Sequence, residues 1–213
     1  MNYLFHLFLS GNDPQLLVGN LMGDFVKGRL DDRYPAGILQ GLRLHRRIDT
    51  FAAGNGHFRA SKQRLDPACG HFRGVMVDLF YDHFLAADWA EFSPLPLPDF
   101  LWRARRTAED FSEILPERLR AILPRLFAVD WLPAYREAAG VARALERMGE
   151  RVRRTNPLAR GGRELARNYD ALQGDFRGFL PEVSAFAAGE RLIFGSNGTV
   201  GDHLVPARRN DAP

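Results

Sequence analysis

The chain has 213 residues, of which 46% are hydrophobic and 11% aromatic, and this composition is typical of one soluble globular domain with a sizeable core. The formal net charge is only +3, with 29 basic residues spread along the chain against 26 acidic ones, which argues against a nucleic-acid-binding protein. A single cysteine excludes an internal disulfide framework, and the first ten residues have no basic signal-peptide segment and cannot span a bilayer, so we expect a cytoplasmic protein without membrane insertion.

Proline, glycine and capping residues divide the chain into helices, and the sequence shows no alternating strand pattern and no internal repeat. Apolar periodicity predicts a first helix over residues 2–10. Asp13 is an N-cap followed by proline at the first helical position, so a second helix should run from Pro14 to Val26. Further helices are predicted at residues 34–54, 57–66, 71–91, 99–115, 130–148, 156–174 and 175–188.

These elements predict an all-α protein, a single-domain multi-helix bundle over residues 1–190. From Gly195 onward the sequence is rich in glycine and asparagine and contains Pro206. That composition predicts a flexible C-terminal tail over residues 191–213.

Carboxylate, amide and imidazole side chains recur at i,i+4 spacing before residue 85. On a helix this spacing places both members of a pair on one face. Aspartate and histidine together are the ligands of hard-to-borderline divalent metal ions. The concentration of such side chains in one half of a helical protein predicts a functional site in that half. The pairs are Asn2/His6, Asn20/Asp24, His45/Asp49 and Asp78/Asp82, and His83 follows directly.

The Asp82-His83 neighbours can share a metal ion only if it lies over the groove between them, because adjacent helical residues point about 100° apart. Asp78, one turn earlier, could be a ligand or could orient an imidazole. The alternative is an exposed polar face, although unpaired carboxylates would be costly to bury among the surrounding apolar residues. His6, in an apolar stretch, is explained equally well as a buried structural residue.

Two arginines, Arg46 and Arg47, stand between His45 and Asp49. Arginine binds phosphate oxygens in bidentate fashion, so a phosphate bound beside a metal ion would suit this segment. Ordinary surface arginines are the alternative. A stripe of arginines occurs later in the chain and predicts either a solvated face or a docking surface for an acidic partner. Its members are Arg143, Arg147, Arg151, Arg163 and Arg167.

Six segments follow one another along the chain: Met1–Leu7, Gly19–Gly28, His45–Asp49, Asp82–Leu85, Tyr169–Leu172 and Phe179–Pro181. In this order and spacing they resemble the acyl carrier protein phosphodiesterases, distant relatives of the HD phosphohydrolases. The resemblance covers roughly residues 1–188. The chain departs from the family at Phe8, because family members often have a second histidine there, two places after the one that matches His6.

The resemblance implies an HD-like bundle that hydrolyses the phosphodiester joining 4′-phosphopantetheine to a serine of holo acyl carrier protein, an acidic protein of fatty acid biosynthesis. It also implies a divalent metal ion, with manganese expected. The implied metal ligands are Asp24, His45, Asp82 and His83, with His6 and Asp49 as further candidates. The implied catalytic residues are Asp24, His45 and Asp78, the last also as a general acid, and the implied substrate-binding residues are Lys27, Arg46 and Arg47.

Two other functions remain open from the residues alone. An HD-type phosphohydrolase acting on a nucleotide or another small phosphodiester would use the same ligands. A non-catalytic helical module binding an acidic protein would retain no metal ion. For the metal site itself, a mixed Asp/His ligand set admits Mn, Fe or Mg, as one ion or two.

Overall fold

The computed structural model describes residues 1–30 and 32–198, and within them it contains eleven α-helices and no strand. The all-α prediction is confirmed. Short 3₁₀ turns connect some helices, at Pro67–Cys69, Ser112–Ile114, Pro133–Arg136 and Leu158–Arg160. The helices are α1 (Tyr3–Leu9), α2 (Pro14–Met22), α3 (Ala36–Gly54), α4 (Gly56–Arg64), α5 (Phe72–Ala87), α6 (Trp89–Phe92), α7 (Leu97–Asp110), α8 (Glu117–Leu126), α9 (Ala138–Arg151), α10 (Gly161–Arg167) and α11 (Tyr169–Gly198).

Helices α2 and α4 begin where a capping side chain satisfies free backbone N–H groups. The carboxylate of Asp13 accepts a hydrogen bond from the N–H of Leu16, and Pro14 occupies the first helical position of α2. The side chain of Asn55 caps α4 in the same way, accepting from the N–H groups of His57 and Phe58. Local sequence therefore fixes the start of both helices.

Helices α2 and α3 are in backbone contact because glycines face each other between them. A Cβ atom added to Gly19 would lie 2.2 Å from the carbonyl oxygen of Ile38, and one added to Gly41 would lie 2.5 Å from that of Leu16. Any side chain at these positions would force the helices apart. The close approach brings the end of α2 beside the middle of α3, where His45 lies.

The core is built around α1 and the aromatic side chains that pack on it. Phe5 makes ring contacts with Tyr81 of α5 and with Phe176 and Phe179 of α11. All four rings are fully buried, and burial of each contributes about 2–3 kcal/mol relative to exposure. Helix α1 is thereby fixed in the centre of the bundle.

Several predicted boundaries differ from the structure, most clearly near the C-terminus. No helix ends at Gly174, because α11 continues from Tyr169 to Gly198. A glycine within a helix costs only about 1 kcal/mol, which the packing of residues on either side of it offsets. Residues 191–198, predicted as the start of a flexible tail, are therefore helical, and the rest of that prediction lies outside the described residues.

Two further predicted helices also differ from the structure in their boundaries. The predicted helix at residues 130–148 begins later, at Ala138, because Pro133 starts a 3₁₀ turn instead. The one predicted at residues 156–174 is divided into a 3₁₀ turn and α10, which ends before Asn168. Among the described helices, none combines the length and the apolar character needed to cross a membrane.

Candidate metal centre and active site

Two histidines and one aspartate converge where α1 crosses α3. His6 comes from α1, and His45 and Asp49 come from one face of α3. The His6 and His45 rings stack with their centroids 3.8 Å apart. Their Nε2 atoms each lie 3.3 Å from a carboxylate oxygen of Asp49. One potential ligand atom from each residue lies within 4.8 Å of the other two, so all three could bind one ion.

The orientation of His45 is set by α2. Its Nδ1 atom lies 2.9 Å from the carbonyl oxygen of Asn20, which assigns the proton to Nδ1 and leaves the Nε2 lone pair free. Gly23 provides the space, since a Cβ atom there would lie 2.0 Å from the Cγ atom of the His45 ring. Donation of the second ring N–H to a backbone carbonyl oxygen is typical of a metal-binding histidine.

The unbonded ring nitrogens of His6 indicate that a cation fits this cluster. His6 is 2% exposed, yet neither of its ring nitrogens has a hydrogen-bond partner, because the approach to Asp49 is not oriented as a hydrogen bond. An unsatisfied buried polar group is costly unless something binds it. Burial, with a further contribution from His45, lowers the pKa of His6 to about 4, so its imidazole is neutral at pH 7, the form that binds metal ions.

The surrounding charge also favours a cation. Burial opposes ionisation of Asp49, but contacts with His45, His6 and the Met1 α-ammonium outweigh it and hold the carboxyl pKa below its ordinary range. That α-ammonium lies 2.7 Å from Asp49 and 3.3 Å from Asp78. Asp24 is close as well, with Oδ1 3.8 Å from Nε2 of His45. With two carboxylates at the ammonium and a third beside His45, acidic groups outnumber the basic charge here, which favours an added cation.

The α-ammonium of Met1 is the one component of this group that no sequence pattern indicated. Burial alone would lower its pKa, but the charges of Asp78 and Asp49 reverse the effect and raise it to about 10. It therefore stays protonated at neutral pH. The pKa of Asp78 is raised, first by its burial and then by the charges of Asp49 and Asp24, against the opposing effect of the ammonium. Asp78 thus holds a proton more readily than Asp49 does.

Asp82, predicted as a metal ligand, lies outside this cluster and caps α1. Its two carboxylate oxygens accept hydrogen bonds from the backbone N–H groups of Leu4, at 3.1 Å, and Phe5, at 2.9 Å. The side chain is fully buried. Both oxygens accept hydrogen bonds at the N-terminus of α1, so Asp82 holds the helix that carries His6. The assignment of Asp82 as a metal ligand stays a prediction.

His83, the second predicted ligand on α5, is also engaged elsewhere. Nδ1 lies 2.8 Å from the carbonyl oxygen of Tyr135, and Nε2 lies 2.9 Å from the hydroxyl of Tyr169. Both nitrogens thus have hydrogen-bond partners in this structure, and the assignment of His83 as a metal ligand stays a prediction. Because neighbouring residues of a helix point about 100° apart, Asp82 faces α1 while His83 faces the 3₁₀ turn and α11.

A sequence model of a protein family, described as acyl carrier protein phosphodiesterase, matches residues 1–183. The chain belongs to this family. Curated relatives bearing the same name are 33% identical in Klebsiella pneumoniae (strain 342), 32% in Enterobacter sp. (strain 638) and 30% in Escherichia coli O9:H4 (strain HS). Each alignment covers 193 residues, 90% of this chain and 100% of the relative. No solved structure matches the chain, and the likeness to an HD-type bundle stays a prediction.

The family resemblance also pointed to three basic residues as substrate ligands, and the structure separates them. Arg47 is committed to α11, where its guanidinium pairs with Glu190, with one contact of 2.8 Å, and lies over the ring of Phe186. The assignment of Arg47 to the substrate stays a prediction. Arg46 donates to the carbonyl oxygen of Val26 at 3.2 Å and so holds the segment after α2, where Lys27 is exposed.

Proposed function

We propose that this member of the family is a metal-dependent phosphodiesterase that removes 4′-phosphopantetheine from the serine of holo acyl carrier protein and leaves the apo carrier. Family membership supports the reaction and the substrate. The observation that supports metal dependence is the stacked His6–His45 pair, with unused nitrogens beside the carboxylate of Asp49. A cytoplasmic location is part of this proposal.

His6, His45 and Asp49 would hold the ion, with Asp24 as a further ligand. A mixed imidazole and carboxylate set suits Mn²⁺, and we propose manganese. When bound, such an ion supplies Lewis-acid stabilisation of the phosphoryl oxygens and a water of lowered pKa. Asn20 keeps the Nε2 atom of His45 unprotonated through its carbonyl oxygen, and Asp82 fixes α1 so that His6 faces its partner.

Asp78 is proposed as the general acid. The departing serine oxygen needs a proton as the phosphodiester bond breaks. The raised pKa of Asp78 enlarges the fraction of this carboxyl that holds a proton near neutral pH. Its position beside the Met1 ammonium, which also contacts Asp49, places that proton next to the proposed metal ligands. Asp24, about half exposed beside His45, faces solvent and the incoming substrate.

The intact mass of the carrier tests the function directly. Purified protein is incubated with holo acyl carrier protein together with Mn²⁺, or with EDTA and then excess Mn²⁺. We expect loss of the phosphopantetheine mass with Mn²⁺, no loss with EDTA, and recovery when Mn²⁺ is restored. A carrier left unchanged by metal-loaded protein would overturn the substrate assignment, and full activity in EDTA would overturn the metal dependence.

Two histidine variants connect that activity to the cluster. His6→Ala should abolish measurable hydrolysis, because it removes one of the two imidazoles. His57→Ala is the matched control, since His57 is a partly exposed residue of α4 that lies 3.7 Å from Glu182 of α11, away from the cluster. Equal activity of the two variants would rule out the His6–His45–Asp49 cluster as the active site.

A further inference from the structure

A cavity of about 210 Å³ opens beside the metal cluster. Its walls come from the start of α1, the ends of α8 and α9, and the segment around the Pro133–Arg136 turn. Asp24 lines the cavity and also lies 3.8 Å from Nε2 of His45. One end of the cavity therefore meets the proposed catalytic centre.

Three guanidinium groups give the cavity a positive charge. Arg125, Arg147 and Arg151 line it. Arg147 is held by Asp130, with contacts of 3.1 Å to its carbonyl oxygen and 3.6 Å to its carboxylate. Arg125 and Arg151 are exposed, and neither has an acidic partner among the residues that the structure describes. Two unpaired guanidinium groups at one cavity are suited to a phosphate.

The rest of the lining suits an uncharged extension of that anion. Tyr3 and Trp131 meet edge to face with ring centroids 6.4 Å apart, and Met148 adds a flexible apolar side chain. The Nδ2 atom of Asn2, also in the lining, is buried and has no hydrogen-bond acceptor. A buried donor without a partner points to a ligand carbonyl or phosphoryl oxygen.

We propose that this cavity binds the phosphopantetheine arm of the carrier, with Arg125 and Arg151 on its phosphate and the Tyr3–Trp131 wall against its branched carbons. The inference rests on the proposed function, which supplies the substrate. Pockets that enclose a drug-sized ligand have volumes of about 300–1,000 Å³. This smaller cavity takes the phosphate and the carbons next to it, and the distal arm extends outside.

Calorimetric titration of the Mn²⁺-loaded protein with 4′-phosphopantetheine tests the cavity without requiring turnover. Pantetheine and inorganic phosphate are titrated separately as the two halves of the probe. We expect 4′-phosphopantetheine to bind more tightly than either half. The Arg125→Ala/Arg151→Ala double variant should weaken its binding about 100-fold, from about 10-fold for each lost charged hydrogen-bonding group.

Arg143→Ala is the matched control, because Arg143 is an exposed arginine of the same helix α9 that does not line the cavity. We expect it to change the affinity less than about twofold, within the scatter of surface substitutions. Both substituted arginines of the double variant are exposed, and a thermal melt checks that it stays folded. Wild-type affinity of the double variant for 4′-phosphopantetheine would overturn the proposal, as would failure of the wild type to bind it.

The outcomes separate this proposal from the proposed function. If the wild type converts holo carrier to apo carrier but the double variant binds 4′-phosphopantetheine normally, the cavity assignment fails and the hydrolase remains. If the double variant binds 4′-phosphopantetheine normally but no longer cleaves the holo carrier, the arginines contact the carrier protein. That outcome also overturns the cavity assignment. If the arginine-dependent binding is present and the carrier is never cleaved, the cavity assignment holds and the hydrolysis fails.

Discussion

The His6–His45–Asp49 cluster and the Asp82–His83 pair of α5 contain the same two residue types, yet their polar atoms are used in opposite ways. In the cluster, both nitrogens of the buried His6 lack a hydrogen-bond partner. On α5, both oxygens of Asp82 and both nitrogens of His83 are bonded to other parts of the chain. Unsatisfied buried atoms indicate a ligand site, whereas satisfied ones stabilise the fold.

The largest effect is expected from a variant that disrupts the His6–His45–Asp49 cluster and leaves the α5 pair intact. His45→Ala should lower kcat/KM for holo carrier about 1,000-fold, or about 4 kcal/mol, since a bound ion supplies several kcal/mol of transition-state stabilisation. His83→Ala should still retain Mn²⁺ in equilibrium dialysis, while His45→Ala should not. Loss of Mn²⁺ from the His83 variant would remove the distinction between the two regions.

The next effect concerns stability. Asp82→Ala leaves two buried N–H groups of α1 without acceptors and should lower the free energy of unfolding by about 3 kcal/mol in urea denaturation. Asp66→Ala is the control, because Asp66 caps only an exposed turn, accepting from the N–H of Ala68, and a cap of this kind contributes about 1 kcal/mol. Equal losses for the two variants would contradict a special role of Asp82 under α1.

A glycine variant tests how α2 positions His45. Gly23→Ala forces the imidazole to move, because the added Cβ would lie 2.0 Å from its Cγ atom, and we expect activity to fall about 30-fold, or about 2 kcal/mol. Gly174→Ala is a matched control within α11, where nothing lies within 4 Å of the added Cβ. It should raise stability by about 0.5–1 kcal/mol with activity unchanged. Undiminished activity of the Gly23 variant would show that the ring position is not critical.

The smallest effect over a single pH unit, at most about 1.4 kcal/mol, is a pH dependence. Burial raises the pKa of Asp82 to about 7, against the opposing hydrogen bonds from Phe5 and Leu4. The unfolded chain then loses this proton at lower pH than the folded chain, so the contribution of Asp82 to stability declines as pH rises from about 4 to 7, by at most about 1.4 kcal/mol per pH unit. In Asp82→Asn this decline should be absent. Parallel stability–pH curves for the variant and the wild type would refute the raised pKa.

Much of the fold was predictable because its signals are local. Asp13 and Pro14 set the start of α2, and i,i+4 spacing placed His45 and Asp49 on one face of α3, as the structure confirms. The order of short segments along the sequence also predicted the family, and the membership of the chain in that family is confirmed. The end expected at Gly174 was wrong, because the packing of Phe176 and Phe179 on the core carries α11 through a residue that is only mildly unfavourable in a helix.

The sequence by itself determined which chemistry is present: helices, paired aspartates and histidines, and an excess of arginine over lysine. The tertiary structure decided which of these groups meet. Gly19 and Gly41 let α2 and α3 touch, and α1 inserts so that His6 stacks on His45, 39 positions away in the chain. The direction in which α5 presents Asp82 and His83 depends on what packs around it. Only long-range contacts fix these relations, because each side chain's partner comes from another helix.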